Sequence, residues 1–275
     1  MANTPKISIV TINYNNKIGL KKTIESVVNQ TYKNFEYIII DGASTAGDVE
    51  VINTYQNQIN YWVSEPDKGI YNAMNKGIKA ASGDFIIFMN SGDIFSNNLV
   101  LEEVYQHLTP EFDLYYGDYN RIKPNSNRRK TFPEKLNFSF FYSGSLSHQS
   151  TFFRRTLFDE IFLYNEDNKI VSDWEFYIYA ICYRNVKYKY LNMVISDFDF
   201  TGISANPKFK DLERLERKNT LEKYFPSFVE DYEKVSLLNS KRFQQIIHIQ
   251  QSAFLWKIFK GMISFFLLFT TKIKK

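Results

Sequence analysis

The sequence predicts an α/β fold built on a mostly parallel sheet, and three observations carry that prediction. Apolar runs of strand length alternate with segments of helical spacing through the first ninety residues, the order that gives a sheet with helices on its faces. The runs are apolar almost throughout rather than at every second position, as strands covered on both sides must be. Turns rich in Asp, Asn and Gly follow the carboxyl ends of these runs, where open α/β sheets bind ligands.

Residues 6–12 form a β-branched run, and 19–30 carry Leu20, Ile24, Val27 and Val28 at the spacing of one helix face. Residues 35–40 are again continuous and apolar, and Asp41-Gly42 marks the end of that strand. A helix near 49–56, a short strand Tyr61–Ser64, a helix over about 70–81 and a strand over 85–89 follow. Beyond Asp93 the alternation loosens. A helix is expected at 98–107, a strand at 113–119, and a mobile loop in the polar, basic stretch 121–130; 173–182 reads as a helix, 187–192 and 194–200 as strands, and 208–224 as a solvated helix. The expected division is a domain over 1–205, with a first half to about 95 and a second half over 96–205, and a helical extension over 206–275.

A chain of 275 residues with 44% hydrophobic content can bury a full core. Aromatic residues make up 17% of it, a share that a sugar-stacking surface would use but that more often reflects ordinary core use. The single cysteine, Cys182, excludes an internal disulfide and a cysteine-rich metal cluster, so a reducing compartment is expected. The first residues contain no charged-then-apolar leader, so a cytoplasmic protein is expected. The net charge is +4, but 201–275 holds 14 Lys and Arg against 7 Asp and Glu, a balance of +7 that leaves −3 for 1–200. The basic character belongs to the tail, which points to an anionic surface touched there and not to a nucleic-acid groove.

Two stretches concentrate the chemistry. Ser64 to Gly77 places Glu65, Asp67 and Lys68 at a strand-to-helix turn, and Asn90-Ser91-Gly92-Asp93 follows a buried strand. The pair suits a bound diphosphate and a metal ion. Simpler uses stay open for each part: Asp67 as a helix cap, Asn90 to Asp93 as a tight turn, and Asp173 and Glu175 as acidic residues at a helix start.

Five motifs in order resemble the inverting glycosyltransferases of family 2: Ile7 to Asn15, Ile40 to Thr45, Glu65 to Gly69 with Tyr71 to Gly77, Gly83 to Asp93, and Ser172-Asp173-Trp174-Glu175. The resemblance covers about residues 5–205 and is nearest to members that build bacterial capsule or O-antigen polysaccharide. It implies the GT-A fold, a Rossmann-like sheet flanked by helices, and transfer from a nucleotide-diphosphate sugar, a UDP-sugar by expectation, to a lipid-linked glycan hydroxyl. On this resemblance Thr11, Asn13, Asn15, Asp41, Asp67, Lys68, Asn72, Asn75, Asn90 and Ser91 are donor contacts. Asp93 is the ligand of a divalent cation, Mg²⁺ or Mn²⁺, and Asp173 is the base that deprotonates the acceptor. The family's acidic metal motif is thinned here, because Asn90 stands at its first position and Gly92 where another carboxylate is frequent. His148, Trp174 and Glu175 are candidates for the reaction centre or the acceptor, and Gly202 and Ser204 for an acceptor-side loop. A binding subunit without turnover is the alternative from another class; a nucleotidylyltransferase would need a Gly-rich signature that 10–19 lacks.

Residues 243–275 combine Phe243, Ile246, Ile247, Phe254, Ile258 and Phe259 with Lys257, Lys260, Lys272, Lys274 and Lys275. The uncharged apolar run 261–271 is shorter than the roughly 20 residues a span needs. A helix lying on the inner membrane surface is expected, with packing on the domain or in a homo-oligomer as the other use of such a face.

Overall fold

The computed structural model describes residues 4–123, 126–199, 207–238 and 240–269. In chain order the elements are β1 (Ile7–Asn13), α1 (Lys17–Val28), β2 (Phe35–Asp41), α2 (Asp48–Thr54), β3 (Tyr61–Ser64), α3 (Ile70–Ala80), β4 (Phe85–Phe88), β5 (Ile94–Phe95), α4 (Val100–Tyr105), β6 (Leu114–Lys123) and β7 (Ser126–Lys130). There follow α5 (Phe138–Ser143), β8 (Thr151–Arg154), α6 (Leu157–Glu160), α7 (Ser172–Ile178), β9 (Tyr188–Asp199), α8 (Lys210–Tyr224), α9 (Pro226–Leu238), α10 (Lys241–Gln250) and α11 (Ala253–Leu267).

The strands form one mixed sheet in the order β3-β2-β1-β4-β8-β6-β9-β5, with β7 added on β6. β3, β2, β1 and β4 are parallel neighbours; β8 is antiparallel to both β4 and β6, and β6 runs parallel to β9. The reversal at β8 leaves β6 pointing the same way as β1 and β4, so its carboxyl end lies at the same edge. Every residue of β1 is buried, which is why the sequence shows no alternation there. One face holds Ile7, Ile9, Ile39 and Ile87 packed with Leu20, Ile24 and Val27 of α1. An aromatic cluster of Phe88, Phe153, Phe158, Tyr164 and Phe176 joins β4 and β8 to α6 and α7. Each such side chain, fully buried, contributes about 1.5–3 kcal/mol, so the sheet is a rigid platform for its carboxyl edge.

Four expectations need correction. Residues 121–130 are not a loop: β6 runs on to Lys123 and pairs with β7 as a hairpin. What orders it is the buried Asp118, whose carboxylate takes Arg129 Nε at 2.7 Å and Tyr190 Oη at 2.9 Å. Segments 187–192 and 194–200 are one continuous strand, bulged against β6 around Asp118. The helix after Ser172 is regular only to Ile178 and continues as a π-helical turn, Tyr179–Tyr183. Helix α8 was expected to be solvated, yet it buries Glu216 and Thr220. The chain divides into two compact units, Met1–Thr220 and Leu221–Lys275, the second carrying α9, α10 and α11. The Thr201 to Ser204 segment lies outside the described residues.

Candidate active site

The site begins where β1, β2 and β3 end side by side. Register places Asn13 beside Asp41 and Asp41 beside Ser64, so strand pairing brings three polar side chains together. Asn13 Nδ2 donates to Asp41 Oδ1 (2.7 Å) and Asp48 Oδ1 (3.0 Å), and Ser64 Oγ donates to Asp41 Oδ2 (2.6 Å). Ser44 adds its hydroxyl (2.6 Å) and its N–H (2.9 Å) to the same carboxylate. Burial works against the charge of Asp41, but these donors outweigh it and hold its pKa below the usual carboxylate range. Asp41 is fully buried and saturated; a bound base reaches it only by displacing one of the four donors.

The turn after β4 is tied to both neighbours. Asp93 N–H donates to Asn90 O (2.8 Å), and Gly92 adopts φ +107°, a conformation that favours glycine. Thr23 of α1 accepts from Gly92 N–H (3.0 Å) and donates to Asp93 O (2.7 Å), while Ser91 Oγ donates to Asn13 Oδ1 (2.6 Å). Asp93 is buried, and its charge reaches His148. Asn90 Oδ1 is buried without a hydrogen-bond partner.

The second half of the site is built around Asp173 at the start of α7. His148 Nδ1 lies 3.2 Å from Asp173 Oδ2, and His148 Nε2 lies 2.9 Å from Asn90 Nδ2. An amide nitrogen donating to Nε2 leaves the imidazole proton on Nδ1, directed at Asp173. Burial disfavours the imidazolium, yet the hydrogen bond to Asp173 and the charges of Asp173 and Asp93 prevail and raise the His148 pKa. Asp173 Oδ1 accepts from Trp174 N–H (2.8 Å), and Tyr71 Oη lies 3.1 Å from it and 2.7 Å from Ile170 O. Asp173 thus holds His148 by a hydrogen bond, and Asp93 acts on the same imidazole through its charge.

Other predicted site residues are placed differently. Thr11 is fully buried, its hydroxyl donating to Met89 O at 2.7 Å. Asn75 clasps the backbone of Tyr164, through Nδ2 to O (2.8 Å) and N–H to Oδ1 (3.0 Å). Asn72 and Asn75 both donate to Glu166, at 2.9 Å each. Trp174 is buried with Nε1 on Phe141 O (2.8 Å), and buried Glu175 accepts from Asn168 Nδ2 (2.7 Å). Thr11, Asn75, Trp174 and Glu175 are buried in contacts that hold the protein together around the site, while Asn72 stays part-exposed. Asn15 bridges the first two strand exits through Oδ1 to Thr45 N–H (2.9 Å). Asp67 accepts from Gly69 N–H (2.9 Å), and a β-carbon at Gly42 would sit 2.5 Å from Asp67 Oδ2 and 3.2 Å from the Tyr14 ring. Gly42 therefore lets Asp67 and the exposed Tyr14 close on one rim, beside the exposed Lys68.

Sequence reasoning missed Tyr14, Tyr71, Glu166, Glu216 and Arg217. Glu216 accepts from the backbone N–H groups of Lys169 (2.8 Å) and Ile170 (3.0 Å), immediately before α7. The Arg217 guanidinium stacks 4.6 Å from the Trp174 ring centroid and donates to Gly144 O (3.2 Å). Only Tyr71 and Tyr14 lie within recognisable motifs; nothing in the charged periodicity of α8 marks two of its residues as buried.

Among the described residues no three His, Cys, Asp or Glu side chains gather as a metal site. The Asp93 carboxylate and the orphaned Asn90 oxygen are the oxygen donors of this turn that would hold a hard cation, which commonly binds through one or two carboxylates plus substrate oxygens.

Residues 8–162 match Glycosyl transferase family 2. An uncharacterized glycosyltransferase of Mycobacterium tuberculosis is 32% identical over 225 residues, 78% of this chain and 84% of that protein. A PGL/p-HBAD biosynthesis glycosyltransferase of the same species is 27% identical over 206 residues, 73% of this chain and 79% of its own. Among solved structures, S. aureus TarS residues 1–349 with UDP-GlcNAc superposes with a TM-score of 0.60 at 21% identity over 70% of this chain, which spans 58% of that one. The mannosyltransferase PcManGT of Pyrobaculum calidifontis, with GDP-Man and Mn²⁺, gives 0.56 at 13% identity, covering 89% of this chain and 83% of its own. At such identities the two structures establish the GT-A-like fold alone. With the family match extending over more than half of its length, and a relative at 32% identity along most of it, this chain belongs to glycosyl transferase family 2.

Proposed function

We propose that the chain transfers a sugar from a uridine diphosphate donor to a hydroxyl of a lipid-linked surface glycan, with inversion at the anomeric carbon. The observation that carries this reading is the line Asn90, His148, Asp173, which joins the diphosphate-side turn to a carboxylate on another element. Inversion needs that separation: the acceptor oxygen bonds to the anomeric carbon as the bond to the diphosphate breaks on the opposite side. The acceptor's proton goes to Asp173 Oδ2, because Oδ1 already accepts from Trp174 N–H. His148 orients that oxygen. Tyr14, Asp67 and Asn15 receive the nucleoside at the exposed rim, and Lys68 meets the phosphates at the start of α3. Asp93 and Asn90 hold the divalent cation, which when bound neutralises the leaving diphosphate. The UDP and UDP-GlcNAc complexes of TarS and the Mn²⁺ complex of PcManGT support the donor and cation classes by fold analogy.

The test is a thermal-shift panel of nucleotide sugars with and without Mn²⁺ or Mg²⁺, on the parent chain, Asp93→Asn and Asp173→Asn. The expected result is stabilisation by a uridine donor that depends on metal, is lost in Asp93→Asn and is retained in Asp173→Asn, which in turn loses transfer. Equal donor binding by all three with no need of metal would overturn the assignment.

A further inference from the structure

Helices α10 and α11 carry no part of the site, and their surface is unlike that of the rest of the chain. Phe254, Phe266, Leu268 and Phe269 are 65–78% exposed, and Leu255, Ile258, Met262, Phe265 and Leu267 are exposed as well. At about 100° per residue, Ala253, Lys257, Lys260, Gly261 and Ser264 share one narrow sector of α11. The remaining ten positions are all apolar and sweep over about 220° of the helix. Helix α10 repeats the division more weakly, with Phe243, Ile246 and Ile247 on one side and Lys241, Gln244 and His248 on the other. The two helices pack on each other, and Ser240 and Ser252 cap them through their hydroxyls, so both are locally specified by sequence.

Charge selects what covers this surface. Residues 240–275 contain seven Lys and Arg and no Asp or Glu. A like copy would bring this acid-free basic segment against itself, whereas an anionic surface is attracted to it. Helix α11, at 15 residues, is about 22 Å long, short of the roughly 30 Å of a bilayer's hydrocarbon core, and none of the described helices is long and apolar enough to cross a membrane. A wide apolar sector beside a narrow lysine-bearing one is the pattern of a helix sunk in the plane of the headgroup region.

We infer that α10 and α11 form an in-plane anchor for an anionic lipid bilayer, with Phe254, Ile258, Phe265 and Phe266 in the acyl layer and Lys257 and Lys260 at the phosphates. The residues are distinct from those of the proposed reaction, so anchor and catalysis fail separately.

The experiment is flotation of the full chain with vesicles of phosphatidylcholine alone or mixed with phosphatidylglycerol, at low and high salt. Binding to the mixed vesicles is expected, together with a blue shift of Trp fluorescence that Trp256→Phe removes. The double variant K257A/K260A lowers partition to mixed vesicles about 30-fold, at roughly fivefold per lysine. The triple variant F254S/F265S/F266S abolishes flotation while keeping the parent's circular dichroism and donor-induced thermal shift. Equal binding to neutral and anionic vesicles would overturn the inference. So would failure to float with either, or a dimer in sedimentation velocity that the triple variant dissolves and anionic vesicles do not.

Discussion

The two halves of the candidate site are held by different means. On the donor side Asn13, Asp41 and Ser64 are lateral neighbours in the sheet, and pairing the strands is enough to bring them together. On the other side Asp173 is met by Tyr71 from 102 positions away and by His148 from 25, and the segment before it is gripped by Asn72 and Asn75 through Glu166 and by Glu216 across 47 positions. The first arrangement is part of the core, and damage to it is damage to folding. The second is a set of clips on a loop, so damage there displaces a reacting group from a platform that stays folded.

The largest effect expected from that contrast is on turnover. Replacing Asp173 by Asn removes the proposed base and is expected to lower kcat by about 10²–10⁴, with donor affinity by calorimetry unchanged; a matching loss of affinity would merge the two sides into one unit. At the strand exits Asp41→Ala leaves four donors without their acceptor, and about 1–3 kcal/mol of stability is expected to disappear in urea unfolding, whatever happens to activity. A smaller, selective loss is expected at the clip on α8. Glu216→Ala is expected to reduce kcat about tenfold, in line with about 1–3 kcal/mol for buried donors left unpaired, while donor Kd holds. At the stacked neighbour, Arg217→Met behaves similarly, and Arg217→Lys restores only part because an ammonium cannot stack as guanidinium does.

The opposite edge of the sheet supplies a control. Glu36 resists ionisation through burial, but Lys6, Ser8 and Ser82 donate to it and depress its pKa from 4.5 to about 2. A depressed carboxylate pKa gives stability that is present above the unfolded value and lost as pH falls through the folded one. Unfolding free energy is therefore expected to drop between pH 4.5 and about 2, and Glu36→Gln is expected to flatten that limb without touching kcat at neutral pH. The least effect is expected at Cys182, whose thiol burial pushes up to about 11: thiol reagents at pH 7 modify the native chain slowly and leave activity intact.

Legibility in the sequence followed the same division. The parallel strands β1 to β4, their helices and the polar residues at their carboxyl ends were readable because each signal is local: a continuous apolar run, a helical period, an Asp or Asn at the exit. The hairpin of β6 and β7 was not, since its order comes from an ion pair between the buried Asp118 and the exposed Arg129 that a polar, basic string does not announce. Thr11, Asn75, Trp174 and Glu175 stand within motifs, yet motif position does not reveal which way a side chain turns, and all four are turned inward. His148 was one candidate among several until its ring was seen between Asn90 and Asp173.

By itself the sequence determined the α/β order, the parallel donor edge and the acid-free, apolar C-terminal helices, because strand period, helix period and charge are properties of neighbouring residues. Tertiary structure alone decided that His148 lies between Asn90 and Asp173 and that Glu216 and Arg217 brace the surroundings of Asp173. Those contacts join distant segments, and their energy depends on burial and geometry that no local pattern encodes.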